Sequence, residues 1–539
     1  MIDVPVLIAG GGPVGLVLAH ELRYRGIRAL LVERNPTTTR HPKMDVTNGR
    51  SLEHFRRLGI APAVRAAAVP EDHPMDVIWV TRAAEYEVAR FAYPSVIETR
   101  EIIRRTNDGS LPLEPYMRIS QVVLEPVLKE LLERDASEIE LRFGWGLESF
   151  TQDAGGVTAV IRETATGRTE TVRCAYLAGC DGGGSTARKQ LGIQLEGQSR
   201  VAELFMIHFR SRALDVLQKF GVSWHVQSPI GGTLIAQDDR EIWTLHTPLP
   251  PGVDAAAVDP RALLFQCLGA AIDCEILVAN MWTPHLLVAE QYGAGRVWLA
   301  GDAVHQYIPT GGYGMNTGVG DAVDLGWKLA AQLQGWGGPR LLESYEAERR
   351  PIGLRNREAS QRHMGVRLKI LFDHYDPSAH EESPAGAAAR RALGEGILAL
   401  GNAENESLGI EIGYRYEHSP IICGEDGEAP PADPLRYTPS TWPGVRAPSV
   451  FLADGSALFD RFGPGFTLVR FADCPTEAFE RAARERGVPL HVLDVREPRV
   501  QAIYQRALVL VRPDLHIAWR GDAAPGDAAL IIDRARGAA

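Results

Sequence analysis

Several hallmarks of other protein classes are missing from this sequence. Cysteine is scarce, and no CxxC pair or cysteine–histidine cluster has the spacing of metal ligands; the six residues are Cys174, Cys180, Cys267, Cys274, Cys423 and Cys474. No uninterrupted apolar run approaches the roughly 18 residues of a membrane span, and the amino terminus lacks the basic-then-apolar layout of a signal peptide. The formal net charge of −11 is spread along the chain without a basic stripe. We therefore expect a cytoplasmic protein that binds neither metal, membrane nor nucleic acid.

The composition that remains is that of a large globular protein. Hydrophobic residues make up 45% of the 539 residues and charged residues 23%, which suits a chain of several domains with a substantial core. A helical stretch is predicted at about 50–68 and a helix at about 119–134, and residues 191–290 alternate like strands. Proline and glycine are frequent at 411–448, which predicts a linker before a final unit of about 90 residues.

The first motif occupies residues 4–33, which are predicted to form strand, glycine turn, helix and strand. The turn, Gly10-Gly11-Gly12-Pro13-Val14-Gly15, fits GxGxxG. Gly10 permits the turn, Gly12 allows a pyrophosphate to approach the backbone, and Gly15 allows helix and strand to pack. Glu33, at the end of the second strand, is placed to hold ribose hydroxyls. This context predicts dinucleotide binding without distinguishing FAD from NAD.

Two later motifs also follow apolar strands. The second, from Tyr176 to Arg188, contains Asp181-Gly182; taken by itself it is better explained as an ordinary turn in which Ser185 caps a helix. The third contains Gly301-Asp302 and continues through the glycine-rich stretch 309–318 into a helical pattern. A carboxylate at a strand end can accept hydrogen bonds from a sugar-like chain, and open amides at a helix start can face an anionic ring.

The three motifs in this order resemble the group A flavoprotein monooxygenases, the family of para-hydroxybenzoate hydroxylase and phenol hydroxylase, over about residues 4–360. The resemblance implies an α/β fold, with a Rossmann-like FAD-binding domain, an inserted mixed-sheet substrate domain and a C-terminal thioredoxin-like domain. Lacking CxxC, that last domain is expected to be structural or oligomer-forming. The implied boundaries are 1–75, 96–190 and 291–410 for the FAD-binding domain, 76–95 and 191–290 for the substrate domain, 411–445 for the linker, and 446–539 for the thioredoxin-like domain.

The resemblance also implies which residues bind FAD. Asp302 is expected to contact the ribityl chain, Gly314 to Asn316 to face the flavin pyrimidine edge, and Asp181 with Arg188 to serve the pyrophosphate region and the passing NAD(P)H. Two departures from the family pattern are Val304 in the third motif and Pro42-Lys43-Met44, where many members have an arginine. The predicted cofactor-binding residues are Gly10, Gly12, Gly15, Glu33, Arg34, Lys43, Gln121, Asp181, Arg188, Asp302, Gly314, Met315 and Asn316.

The implied activity is an FAD-dependent, NADPH- or NADH-consuming monooxygenase that hydroxylates a small phenolic substrate with O2 through a flavin C4a-hydroperoxide, in a chain that forms a homodimer. A non-oxygenating flavin reductase or dehydrogenase on the same fold is the alternative, and a binding protein without turnover is a further one. The WxWxIP segment of flavin halogenases is absent.

Asp45 is the candidate general base, because it stands eight residues before Glu53 as in the phenol hydroxylase pattern, and a base that removes the phenol proton assists attack by the ring. An exposed aspartate that caps the helix near residue 50 is the alternative. Pro309 matches the family proline beside the reacting edge of the flavin. Tyr307, Tyr313 and His225 are candidate pocket residues, as are His208, His246 and His305, although each is equally at home as a core side chain.

Overall fold

The computed structural model describes residues 2–134, 138–249 and 252–539. Within them the strands are β1 (Val4–Ala9), β2 (Ala29–Glu33), β3 (Val46–Thr47), β4 (Val77–Val80), β5 (Glu87–Phe91), β6 (Met117–Arg118), β7 (Ile139–Phe143), β8 (Trp145–Asp153), β9 (Gly156–Glu163), β10 (Thr169–Gly179), β11 (Leu195–Gln198), β12 (Leu204–Arg210), β13 (His225–Ser228), β14 (Gly232–Ala236), β15 (Ile242–Pro248), β16 (Glu275–Trp282), β17 (Leu286–Ala289), β18 (Gly293–Ala294), β19 (Val297–Leu299), β20 (His305–Gln306), β21 (Phe466–Arg470), β22 (Leu490–Asp494), β23 (Leu508–Val511) and β24 (Ile517–Gly521).

The α-helices of the same ranges vary from single turns to seven turns. They are α1 (Pro13–Tyr24), α2 (Gly49–Arg57), α3 (Ala61–Ala66), α4 (Val96–Thr106), α5 (Gln121–Glu133), α6 (Thr186–Gln190), α7 (Leu214–Leu217), α8 (Pro260–Leu268), α9 (Tyr313–Leu333), α10 (Glu343–Lys369), α11 (Pro384–Leu400), α12 (Leu408–Glu411), α13 (Glu477–Glu485), α14 (Pro498–Tyr504) and α15 (Ala528–Ala535). No helix in the described ranges is both long enough and apolar enough to cross a membrane.

The first sheet is the parallel core of the dinucleotide-binding fold. Its order is β18-β19-β10-β1-β2-β7, and the pairs from β19 to β7 are parallel. Strand β10 is long enough to pair at its carboxyl end with β1 and at its amino end, antiparallel, with β9. Helices α1, α5 and α9 contribute apolar side chains to the cluster that covers one face, including Leu16, Leu128 and Val323. Both faces are buried, which explains why β1 and β2 read as continuous apolar runs.

The second sheet has seven strands in the order β16-β12-β15-β14-β13-β4-β5. Strands β4 and β5 come from residues 77–91, more than a hundred residues before the others, and β13 pairs with β4 in parallel. Successive side chains alternate between the two faces of such a sheet. Ile207, Leu234 and Leu245 point to one face, where they form a core with Leu264 and Leu268 of α8. The opposite face therefore carries the alternate residues, including His225.

The C-terminal unit has a four-stranded sheet in the order β22-β21-β23-β24. Strands β21 and β22 are parallel and joined through α13, whereas β23 and β24 form an antiparallel hairpin followed by α15. This is the strand order and direction of a thioredoxin fold, as predicted. The preceding segment, predicted as a linker, is not loosely exposed, since Tyr414, Tyr416 and Ile421 are all buried.

The helical stretch predicted at about 50–68 consists of two helices. Helix α2 ends at Arg57, and Gly59 takes a left-handed conformation with φ of +74° before α3 begins at Ala61. Glycine adopts this conformation without the steric cost that a side chain would bring, so the apolar periodicity continues across a break. The predicted helix at 119–134 corresponds to α5.

Buried ion pairs join the C-terminal unit to the helices behind the first sheet. Arg512, in the turn after β23, donates to Glu348 of α10 and to Asp324 of α9, and Lys328 donates to the same two carboxylates at 2.6 and 2.7 Å. The side chains of these four residues are at most 1% exposed. Arg446 forms a second buried pair with Glu53 of α2. Each cation therefore compensates carboxylates that belong to another part of the chain.

Replacing Arg512 by methionine leaves three buried carboxylates, those of Asp324, Glu348 and Asp514, with one cation, Lys328. Loss of one partner from a buried charge cluster costs about 3–5 kcal/mol, so R512M should lower the free energy of unfolding by that order, as measured by urea denaturation followed by circular dichroism. The control is R162M, which removes an exposed pair with Glu148 and should leave the midpoint unchanged. Equal stability of R512M and the wild type would contradict this account.

Candidate functional site

The three motifs meet at one edge of the parallel sheet. In the strand register, Ala9 of β1 lies beside Gly179 of β10, which lies beside Leu299 of β19, and Val32 of β2 lies beside Ala9 on the other side. The residues that follow these strand ends are therefore neighbours in space, although they are up to 290 positions apart in sequence. They include Gly10, Glu33, Asp181 and Asp302.

The glycines of this edge fall into two groups. A Cβ on Gly10 would lie 2.2 Å from the carbonyl oxygen of Cys180, and one on Gly15 would lie 2.0 Å from that of Gly10, so both are required by packing. A Cβ on Gly12 would meet only Glu125 Oε1, at 3.9 Å, and one on Gly314 would meet nothing within 4 Å. The second group thus exposes backbone at the starts of α1 and α9 to open space.

These openings fit an FAD molecule. A dinucleotide needs bare amides at a helix start for its pyrophosphate and a polar side chain for its sugar-like chain. Here the exposed carboxylate of Asp302 lies in the turn after β19, and Val14 in the first turn of α1 packs against Gly301 and Gly318. The starts of α1 and α9 therefore flank Asp302, in the order that an extended dinucleotide requires.

Glu33 and Asp181 are both engaged by backbone amides. Glu33 accepts from Gly11 N at 2.8 Å and from Asn35. Asp181 accepts from the amides of Thr186 and Ala187 at 2.6 and 3.1 Å and from the Ser185 hydroxyl, and Ser185 itself caps α6. The capped turn considered as an alternative for the second motif is thus present, and it holds the Asp-Gly turn against β1.

Arg188 connects the second and third motifs. Its guanidinium donates to the carbonyl oxygens of Ala303 and Gly183, at 3.0 and 3.1 Å, and its side chain is buried. Burial is the first cause of the lowered pKa of this group, although Asp181 opposes the shift. The residue therefore fixes the Asp302 turn relative to the Asp181 turn.

A buried ion network supports the Asp302 turn from behind. Asp321 of α9 accepts from Gly301 N at 3.1 Å, from His305 Nε2 at 2.8 Å and from Arg349 at 2.8 Å. Burial alone would raise the pKa of Asp321, but Arg349 and His305 outweigh it and lower the pKa. The carboxylate is therefore charged, and it anchors Gly301 in its left-handed conformation of φ +64°.

Asn316 joins the start of α9 to the segment that carries Asp45. Its Oδ1 accepts from Asn48 N at 3.0 Å and from Ser51 Oγ at 2.7 Å, while its Nδ2 donates to Gly312 O at 2.7 Å. Asn48, not Asp45, caps α2 by accepting from Ser51 N. The capping role considered for Asp45 is therefore wrong.

Gln121 lies next to the same segment at the start of α5. Its backbone N donates to Met44 O at 2.9 Å, and its side chain donates to Glu125 at 2.7 Å. Burial raises the pKa of Glu125, although Gln121, the Thr39 amide and Lys43 oppose the shift. Arg34 and Lys43 are exposed, so they stand free at the rim of the opening.

Asp45 lies where the first and second sheets meet. Its Oδ2 accepts from Trp224 Nε1 at 2.5 Å and from His225 Nε2 at 3.1 Å. Trp224 directly precedes β13, and His225 is the first residue of that strand. Among the described residues nothing donates to its other oxygen, Oδ1. Burial would raise the pKa of Asp45, but the hydrogen bonds from His225 and Trp224 outweigh burial and lower the pKa. Asp45 is thus a partly buried carboxylate that stays ionised and keeps one oxygen free.

The sheet face around His225 is unusually polar. His225 pairs with Ile235, and Gln227 pairs with Thr233, which in turn pairs with His246. By strand alternation these side chains share the face that looks toward Asp45. Burial lowers the pKa of His246 to about 4, and the charges of Asp45, His225 and Arg367 act on it as well.

The other candidate pocket residues serve as supports. The Tyr307 hydroxyl donates to Gly353 O at 3.0 Å, and its ring stacks on His305. The Tyr313 hydroxyl is 3.0 Å from His363 Nε2, and His208 Nδ1 lies 3.1 Å from Trp243 O. Pro309 is exposed in the loop before α9. Of the predicted pocket residues, His225 is the one whose side chain contacts Asp45.

Four residues of this region escaped the sequence analysis: Trp224, Gln227, Arg367 and Glu404. Trp224 is adjacent to the predicted His225, and an indole beside a histidine at a strand start was the available signal. Arg367 and Glu404 form a bidentate pair at 2.8 and 2.7 Å, but they come from different elements, α10 and the loop before α12. No local pattern indicates such a pair.

Two family models match this chain. The model described as FAD binding domain matches residues 3–360, and the model described as aromatic-ring hydroxylase, C-terminal, matches residues 440–538. The first covers the parallel sheet and the seven-stranded sheet together, and the second covers the thioredoxin-like unit. The two matches together span most of the chain.

Relatives and solved structures are similar over the whole length. The FAD-dependent monooxygenase apdD of Emericella nidulans is 40% identical over 548 residues, which cover 96% of this chain and 87% of the relative. The 4-methyl-5-nitrocatechol 5-monooxygenase of a Burkholderia species is 33% identical, over 99% and 97% of the two chains.

Among structures, the rebeccamycin biosynthetic enzyme RebC with reduced flavin has a TM-score of 0.89 and 37% identity, with 100% of both chains covered. The flavin-dependent monooxygenase PieE, in complex with FAD and substrate, has a TM-score of 0.87 and 31% identity, also over 100% of both chains. With the strand-end site described above, these matches show that the chain belongs to the FAD-dependent aromatic-ring monooxygenases.

Proposed function

We propose that this monooxygenase hydroxylates a phenolic ring with O2 and with NADPH or NADH as electron donor, and that Asp45 is its general base. The observation that carries the proposal is the Asp45 carboxylate, which is ionised, held by two donors on Oδ2 and free at Oδ1. A phenol hydroxyl is the kind of donor that such an oxygen accepts. A non-oxygenating reductase or dehydrogenase has no use for this arrangement.

FAD, when bound, supplies the ring that accepts the hydride and activates oxygen. The chain would supply position and charge: the amides at the starts of α1 and α9 would face the anionic groups, and Asp302 would accept from the ribityl chain. Gln121, Met315 and Asn316 would hold the flavin end, and Glu33, Arg34 and Lys43 the adenosine end. Asp181 and Arg188 hold the strand-end turns in place, and Pro309 would stand near the flavin.

Asp45 moves one proton. The phenol O–H donates to Oδ1, and as the ring attacks the electrophilic oxygen the proton passes to Oδ1, which raises the electron density of the ring. Trp224 and His225 keep Oδ2 hydrogen-bonded throughout, so the carboxylate does not rotate away. Because Val46 pairs with Arg118 and Arg118 is bound to Asp239 of the substrate sheet, the carboxylate is also held at a fixed distance from that sheet.

The lowered pKa of Asp45 has a consequence for pH dependence. A carboxyl group whose folded pKa is depressed is ionised above its ordinary range and becomes protonated only when the pH falls below it. We therefore expect the fraction of NAD(P)H oxidation that yields hydroxylated product to be constant over about pH 6–8. A fall in that fraction across this range, measured with a phenol panel, would argue for a base of higher pKa.

The variant D45N tests the base directly. The amide keeps the shape of the side chain but cannot accept the proton, so product formation should fall by about 10²–10⁴-fold, while hydrogen peroxide released per NAD(P)H rises. Product is measured by chromatography and FAD binding by absorbance. The control D238N alters an aspartate that holds the turn before β15 and should behave as wild type. Unchanged product yield in D45N would remove Asp45 from the reaction.

Gly314 tests where FAD lies. Alanine at this helical position should stabilise the fold by about 0.5–1 kcal/mol, yet its methyl group points into the open space assigned to the cofactor. We therefore expect G314A to unfold no more easily than wild type but to bind FAD at least about tenfold more weakly, as measured by titration of the apoprotein. G365A, a helical glycine of α10 with equally open surroundings, should keep full FAD affinity. If both variants bind FAD alike, the placement is refuted.

Three further predictions concern the molecule as a whole: its oligomeric state, its location and its domain boundaries. A homodimer and a cytoplasmic location stay predictions of the family resemblance, and the mass of the purified protein in solution checks the first. Domain boundaries at 75, 95, 190, 290, 410 and 445 likewise stay predictions.

A further inference from the structure

A buried glutamine without a hydrogen-bond partner lies on the same sheet face as His225. The Gln227 side chain is 2% exposed, and among the described residues no atom accepts from its Nε2. A buried amide left unpaired is costly, so its persistence in a well-packed strand needs a reason. Gln227 is two residues beyond His225 on β13, which places the two side chains on one face about 7 Å apart.

An arginine extends this polar row away from Asp45. Thr233, the cross-strand partner of Gln227, accepts from Arg367 Nη1 at 2.8 Å. The Nε and Nη2 atoms of Arg367 are bound to Glu404. His246 lies between the two ends, since it pairs with Thr233 and the charges of both Asp45 and Arg367 act on its pKa. Asp45 and Arg367 therefore lie at the two ends of one row of polar side chains, and Gln227 belongs to that row.

We propose that Gln227, with Arg367 beside it, forms a second polar subsite that takes an uncharged carbonyl oxygen of the substrate while Asp45 takes the phenol. The inference rests on the proposed function of Asp45. An amide N–H donates to a carbonyl oxygen, and Gln227 lies two residues along β13 from His225, the residue that binds Asp45, so the carbonyl is expected on the side of the ring away from the phenol hydroxyl. The substrate class is then a phenol that bears a ring-linked ketone or similar carbonyl.

The absence of a net positive charge in the subsite favours a neutral carbonyl group over a carboxylate. Glu404 accepts two hydrogen bonds from Arg367, so the pair carries no net charge. Burial would raise the pKa of Glu404, but Arg367 outweighs it and lowers the pKa, which keeps the partner charged. The neutral imidazole of His246 adds no positive charge. The subsite therefore offers donors without a net cation, which suits a ketone better than an anion.

Two ligands that differ by one group test the subsite. 4-Hydroxybenzophenone and 4-benzylphenol share the phenol and the second ring and differ in a carbonyl against a methylene. On the FAD-loaded protein we expect the ketone to bind about tenfold more tightly, as measured by quenching of tryptophan fluorescence and by the shift of the flavin absorbance. Q227L should abolish this preference and leave the affinity for 4-benzylphenol unchanged.

Q237L is the matched control, because Gln237 is also buried with an unpaired side-chain atom but lines a separate cleft of about 1140 Å³ on the other side of Ile119 and Ser120. It should keep the tenfold preference. 4′-Hydroxybiphenyl-4-carboxylate is the charged comparison and should bind no more tightly than the ketone; stronger binding of the carboxylate would overturn the uncharged assignment.

Different results would contradict the carbonyl subsite and the proposed phenol hydroxylase function. Equal affinity of the wild type for the ketone and the methylene compound, with hydroxylated product from either, overturns the subsite and leaves the phenol hydroxylase standing. A preference that survives in Q227L also overturns the subsite. If neither ligand binds and no phenol is hydroxylated, the proposed function falls, and the subsite falls with it.

Discussion

The alignment of strand ends in the parallel sheet is the constraint on which the rest of this structure depends. Parallel neighbours must end at the same edge, so the register that places Ala9, Gly179 and Leu299 side by side also brings three remote turns together. The glycines and the buried Asp321 then serve this convergence, since the turns approach closely enough that side chains at Gly10 and Gly15 would collide with backbone. One cofactor site follows from sheet geometry instead of from proximity in sequence.

This constraint explains how much was predictable. Each motif is local, a strand followed by a turn and a helix, so its chemistry and its place at a strand end can be read from neighbouring residues. The contact of Asp45 with Trp224 and His225 spans about 180 positions and depends on β13 pairing with β4, a register that no local pattern encodes. Gly59 separates α2 from α3 within the stretch predicted to be helical, and apolar periodicity alone does not place that break.

The C-terminal unit has a thioredoxin fold without redox cysteines, and it contacts the rest of the chain through buried ion pairs. Its thioredoxin topology has no CxxC, and its charged residues are instead directed at α2, α9 and α10. Arg446 binds Glu53 in α2, the helix that follows the Asp45 segment, and Arg512 binds Asp324 in α9. Removal of a single partner from such a cluster is costly. The unit therefore holds the two helices next to Asp45 and to the proposed flavin site.

The packing of the fold alone does not explain why the face of the seven-stranded sheet that carries His225 and Gln227 is polar. One face of the seven-stranded sheet is an ordinary apolar core, whereas the other carries histidine, glutamine and threonine at alternate positions. A sheet selected for stability alone would place apolar side chains on a face that is so deeply buried, since an unpaired amide such as that of Gln227 weakens the fold. Departures from good packing are expected where a ligand completes the hydrogen bonds. The Oδ1 of Asp45 and the Nε2 of Gln227, both unpaired among the described residues, are the groups on this face that a bound substrate would satisfy.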